Sequence, residues 1–101
     1  MEFQIVSAAA GAEIRMVGRL TYDDHGKFHD IKALVEDSKA KAVVLDLSGL
    51  DFIDSAGLGM LVVLEDAART VNVGITIRGA HGTVRKLMNL VNFGTVIRLV
   101  D

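Results

Sequence analysis

Leu45-Asp46-Leu47-Ser48-Gly49-Leu50-Asp51-Phe52-Ile53-Asp54-Ser55-Ala56-Gly57-Leu58-Gly59 is the stretch on which the fold turns. It begins inside a nearly continuous apolar run, Ala42 to Leu47, that contains two adjacent valines. Such a run predicts a central strand covered on both faces. The polar and glycine-bearing segment Gly49 to Asp54 is expected to be a loop. Helical spacing then runs from Ser55 or Ala56 to about Arg69. A strand that feeds a helix in this way is half of a crossover unit, which favours parallel pairing with the next strand.

The flanking segments extend the pattern in both directions. Toward the C-terminus, Val73, Ile75 and Ile77 alternate with Gly74, Thr76 and Arg78, a strand. Thr83 is placed to cap a third helix with Val84, Leu87, Met88 and Val91 on one side. Gly94 closes that region, and Val96 to Val100 is the last strand. Toward the N-terminus, Asp23 or Asp24 caps a helix reaching about Ser38, with Phe28, Ile31, Leu34 and Val35 as its buried stripe. Ile14, Met16, Gly18 and Leu20 alternate with Arg15, Val17 and Arg19. Phe3 to Ala8 reads as an edge strand, and Gly11 between these two segments suggests a hairpin. The order β-β-α-β-α-β-α-β predicts an α/β fold: a mixed sheet of about five strands with helices packed on it, in one domain spanning residues 1–101.

Composition narrows the function classes. The 101 residues are 50% hydrophobic and 24% charged, which suits a folded chain rather than a disordered one. The net charge of −2 offers no basic surplus to neutralise phosphates, so nucleic acid is not the expected ligand. The absence of cysteine removes disulfides, thiolate catalysis and cysteine metal sites, and fits a reducing cytoplasm. Met1 to Ala10 lacks the form of a signal peptide. Gly57 to Leu64, the longest apolar run, is far short of the roughly 20 residues that span a bilayer, so no membrane insertion is expected.

The residues that carry a mechanism sit where the strand hands the chain to the second helix. A helix N-terminus offers free N–H groups and a partial positive charge, so a phosphate on Ser55 would suit the fold. Serine there is also a common cap, and capping alone would explain an Asp-Ser pair. On the helical wheel, Glu65, Asp66 and Arg69 mark the solvent side, and Ala56, Met60, Val63, Leu64 and Ala67 the core. Leu58 and Val62 then fall on the charged side, in line with Ser55 and Gly59, as an apolar docking strip. The candidate partner-contact set is Asp54, Ser55, Leu58, Gly59, Val62 and Asp66. Other constellations are weaker. His25 and His29 are four apart beside Asp23, Asp24 and Asp30 but read as a solvated helix start, with no metal site expected. His81 reads as a turn residue, and Arg85 and Lys86 as a solvated face. Gly57-Leu58-Gly59 lacks the lysine and spacing of a phosphate-binding loop.

At these residues the sequence resembles the STAS domain, in particular bacterial anti-sigma-factor antagonists. The resemblance rests on Val44 to Ser48, on Phe52 to Gly59, and on Val84 to Leu90 in the third helix. It implies that Ser55 is phosphorylated by a partner serine kinase, often the anti-sigma factor itself, and dephosphorylated by a PP2C-type phosphatase. It implies that the unphosphorylated form sequesters the anti-sigma factor, with no cofactor of its own; a monomer or weak dimer is expected, since the first strand could pair with another chain. Two departures stand out: Ala56 where many members carry a second hydroxyl residue, and Gly18-Arg19-Leu20-Thr21 where many carry Gly-Glu-Leu-Asp. Tyr22-Asp23-Asp24-His25 with Phe28 looks more like a variant of some proteobacterial regulators. A second reading is a STAS subunit of a transport system, such as a lipid-transport ATPase complex, with Ser55 structural. A hydrolase using Asp46, Asp51 and Asp54 is the third, and no acid/base pair with a positioned nucleophile supports it.

Overall fold

A computed structural model describes residues 1–8, 11–37 and 40–101. The strands are β1 (Glu2–Ala8), β2 (Gly11–Leu20), β3 (Ala42–Ile53), β4 (Gly74–Arg78) and β5 (Arg98–Val100). The helices are α1 (His25–Asp37), α2 (Ser55–Thr70) and α3 (Gly82–Leu90), with single 3-10 turns at Tyr22–Asp24 and Phe93–Thr95. The strand order in the sheet is β1-β2-β3-β4-β5; β1 and β2 pair antiparallel and the other three pairs are parallel. This is the mixed α/β sheet that the element order implies. The hairpin's connection at Ala9 and Ala10, and the end of the first helix expected at Ser38, lie outside the described residues.

Two expectations about the central strand are corrected. The segment Gly49 to Asp54 is not a loop: β3 continues to Ile53 and pairs with Val17 to Leu20 of β2. The register slips twice, between Arg15 and Val17 and again between Gly18 and Arg19, so β3 takes an extra residue at each place. Those bulges turn Leu47, Leu50 and Ile53 inward at intervals of three, with Ser48 and Asp51 exposed. A period of three defeats a reading tuned to alternation. Opposite the bulges, Gly18 takes φ +97°, a conformation that favours glycine.

Nor is the strand covered on both faces. Val43, Leu45 and Leu47 are buried, but Val44 and Asp46 on the other side are partly open. The buried face joins Phe28, Ile31 and Val35 of α1, Leu61, Leu64 and Ala68 of α2, and Val84 and Met88 of α3 in one apolar core. Leu34 and Val91, expected in that core, are exposed at the flanks of their helices. Helix entries also differ from expectation. Asp24 is not the first cap but the third residue of the 3-10 turn, where its carboxylate accepts the Thr21 N–H at 2.9 Å. Thr83 sits inside α3, whose cap position is His81; the His81 ring meets the Ser48 carbonyl at 2.8 Å and ties that helix to β3.

The open face of the sheet carries an ion-pair network. Arg78 donates to Glu13 and to Asp46 (3.1 Å), and Arg15 reaches Glu13 at 2.9 Å and Asp46 at 3.8 Å. Hydrogen bonds from Arg78 and then Arg15 hold the Glu13 carboxyl below its ordinary range. Partial burial pushes the Asp46 carboxyl up, but bonds from Ser48 and Arg78 outweigh it and hold it low. A carboxyl whose folded pKa is depressed adds stability that is present above its unfolded pKa, near 4, and is lost as pH falls through the folded value. Arg78→Met is therefore expected to lower stability near pH 7 modestly, because exposed pairs contribute little. It should flatten the decline below about pH 4 by the same small amount, as read from urea midpoints across that range.

Candidate functional site

The end of β3 and the start of α2 meet in a stitched junction. Asp54 is the cap of α2: its Oδ1 accepts the Gly57 N–H at 2.7 Å and its Oδ2 accepts the Tyr22 N–H at 3.3 Å. Its own N–H donates to the Leu20 carbonyl at 3.2 Å. One aspartate thus joins the helix to the end of β2 and to the turn that follows it. Because Asp54 supplies the cap, Ser55 does not. Ser55 stands at the first helical position, exposed, and its hydroxyl has no hydrogen-bond partner among the described residues. The capping explanation of the Asp-Ser pair therefore applies to the aspartate alone. The serine is left as an accessible hydroxyl where helix N–H groups and the dipole favour an anion.

Stability measurements should separate the two residues. Asp54→Ala is expected to cost about 1–2 kcal/mol, the usual worth of a side-chain cap. Ser55→Ala should lie within about 0.5 kcal/mol of the parent, as for an exposed side chain without a partner. Equal losses in chemical denaturation would contradict this division of roles.

The apolar strip is corrected in one member. Leu58 is 8% exposed and belongs to the core with Gly57, Met60, Leu61, Leu64 and Ala68. Val62, at 38%, does face solvent, as do Ser55, Gly59 and Asp66. Val63, expected in the core, is 56% exposed. The error is a rotation of the helical wheel. Glu65, read with Asp66 and Arg69 as marking the solvent side, lies at its boundary, its side chain 18% accessible and 3.9 Å from Arg69. Leu58 lies seven residues before Glu65, nearly in line with it, and falls inward. The row Gly57, Leu61, Leu64 and Ala68 carried the correct phase. The exposed apolar side chains near Ser55 are thus Val62, Val63 and Tyr22, the last 70% exposed. Tyr22 had no periodicity to mark it; its place follows from the bond between its N–H and Asp54.

The divergent segment Gly18 to Thr21 also finds its place beside this junction. Leu20 is fully buried, and the Arg19 guanidinium lies 4.3 Å from the centre of the Phe52 ring, on the neighbouring strand. Two of the three carboxylates considered for hydrolysis have other work, Asp46 bonded to Arg78 and Asp54 to two backbone amides, while Asp51 is exposed. Among the described residues, no group of three or more His, Asp or Glu side chains is arranged to hold a metal ion. No helix among them is long and apolar enough to cross a membrane.

Comparisons place the chain and its fold among known proteins. The family model described as "Mlab, STAS domain" matches residues 3–101. A STAS-domain containing protein of Pseudomonas aeruginosa strain UCBPP-PA14 is 31% identical over 101 residues, covering 98% of this chain and 99% of that protein. An anti-sigma factor antagonist from Mycobacterium paratuberculosis superposes with a TM-score of 0.79 at 22% identity, over 97% of this chain and 83% of that one. The Bacillus cell fate determinant SpoIIAA in its phosphorylated form gives 0.70 at 19%, over 99% and 92%. The STAS domain of a SulP transporter from Vibrio cholerae gives 0.66 at 14%, over 82% and 67%. At these identities the structural matches show the fold, which anti-sigma factor antagonists share with the STAS domains of SulP transporters.

Proposed function

The chain belongs to the STAS-domain family, and from that premise we propose that it is a non-enzymatic binding module gated by a phosphate on Ser55. In this reading it is an anti-sigma-factor antagonist. The unmodified form binds an anti-sigma factor that is also a serine kinase, phosphorylation of Ser55 releases it, and a PP2C-type phosphatase restores binding. The observation that carries the reading is the free, exposed Ser55 hydroxyl beside a cap supplied by Asp54. Asp54, Ser55, Gly59, Val62 and Asp66 remain contact candidates, with Tyr22 and Val63 taking the place of Leu58. Asp46 and Asp54, held by structural bonds, support a binding role over hydrolysis.

The test is incubation with ATP and serine-kinase fractions from the host, with Ser55→Ala as control. Phosphate on Ser55 alone, with loss of a bound protein from the modified form, supports the reading. Phosphate that persists in Ser55→Ala overturns it. The fold shared with transporter STAS domains favours one competing reading, a subunit of a transport complex in which Ser55 is a contact residue. Stable co-purification with a membrane ATPase and an unmodified Ser55 would select that reading.

A further inference from the structure

Beside Ser55, α1 and α2 pack together and leave an open groove of about 520 Å³ between them. Its floor is apolar: Phe28, Met60 and Leu64 are all buried beneath it. Its α2 wall is low, because Ala56 and Gly59 present almost no side chain there and Val63 stands exposed beyond them. A side chain at Gly59 would enter open space, with no atom within 4 Å of its first carbon.

The α1 wall has a different chemistry. His25, His29 and Lys32 all line the groove, at intervals of four and three residues. That spacing makes one row along the helix, about 10 Å long. None of the three is in an ion pair or side-chain hydrogen bond among the described residues. No acidic residue is among those that line the groove, and of the acids on α2 near it Asp54 is held by two backbone amides and Asp66 by Arg69 at 2.7 Å. Lys27, on another side of α1, already has Glu2 at 3.1 Å. The row at the groove is thus a set of hydrogen-bond donors, with one fixed positive charge, that this chain leaves unanswered.

We propose that this groove receives an amphipathic helix of the partner, its apolar stripe on the floor and a row of acidic residues against His25, His29 and Lys32. The proposal deepens the partner-binding reading of this face and rests on it. A groove open along its length would leave much of a small ligand wet, whereas deep pockets cover most of theirs. A helix spans it, because residues at i, i+4 and i+7 repeat with the pitch of the α1 row. The gate also gains a mechanism. Ser55 adjoins Ala56 on the groove wall, so a phosphate there adds negative charge at the mouth and repels the acidic helix.

The test uses the isotope-labelled full chain and two synthetic helical peptides that share apolar positions but carry either glutamate or lysine on the flanking row. The glutamate peptide is expected to shift the amides of residues 25–32 and 56–63, and the lysine peptide to bind about tenfold more weakly or less. Gly59→Leu should abolish binding by filling the open space while the variant unfolds at an unchanged or higher temperature. Lys32→Glu, a change at the half-buried rim of the groove and outside the apolar core, should reverse the preference between peptides. Equal binding of the two peptides overturns the proposal, as does a shift pattern confined to the sheet edges. It is also overturned if decanoate, or a second copy of the chain, fills the groove where the glutamate peptide does not. Groove binding that is indifferent to phosphate on Ser55 supports the helix site and removes only the gate.

Discussion

Gly57→Ala is expected to destabilise the fold by about 3 kcal/mol, at or above the upper end of what one added methyl usually costs in a packed core. A first side-chain carbon there would stand 2.6 Å from the Leu20 carbonyl oxygen and 2.8 Å from Ile53 Cγ1. The carbonyl belongs to the strand end that also accepts the Asp54 N–H, so it cannot yield without opening the junction. Gly57 thus sets how closely α2 approaches β2 and, through it, where Ser55 is displayed. Two residues on, Gly59→Ala meets nothing and removes a flexible residue from a helix, so it should gain about 0.5–1 kcal/mol. Urea denaturation of the two variants checks the pair; similar effects of the same sign would contradict the packing described here.

A phosphate on Ser55 is expected to leave the domain folded and to weaken partner binding by roughly a hundredfold to a thousandfold. The fold tolerates the group because it sits on the first turn of a 16-residue helix, where the dipole and unpaired N–H groups favour an anion. Binding does not tolerate it. About −1.5 to −2 charges would have to be desolvated beside Asp54 and the exposed Tyr22, Val62 and Val63. A penalty of about 3–4 kcal/mol against a modest interface yields the stated loss of affinity. Ser55→Asp carries less charge and should weaken binding less; Ser55→Ala should bind in every condition. Calorimetry on the unmodified and phosphorylated forms reads the difference, and equal affinities would refute the gate.

Much of this was legible in the residues before the coordinates. Alternation in Ile14 to Leu20 and in Val73 to Arg78, and helical spacing after Ser55, gave the element order and hence the mixed sheet. Other features were not legible, each for a physical reason. Bulges opposite Gly18 turned a strand into a period-three pattern, which reads as a loop. The open face of β3 hides its charge behind Val44, because Asp46 finds partners 32 residues away at Arg78 and, across the sheet, at Arg15. The phase of α2 follows its row of small and apolar residues, Gly57, Leu61, Leu64 and Ala68, and not Glu65 at the boundary, so Leu58 and Val63 exchange sides. At the site itself, the pairing of Asp54 with Tyr22 depends on chain crossings that no local pattern encodes. The serine could be picked out from its place before a helix; that its neighbour does the capping could not.

The most direct measurement is the intact mass and phosphosite map of the protein isolated from its own cells under several growth conditions. A single added phosphate is expected, on Ser55, with a fraction that changes with condition and opposes the fraction bound to partner. A chain that carries no phosphate at Ser55 in any condition, or binds its partner equally with and without it, is not switched by this serine.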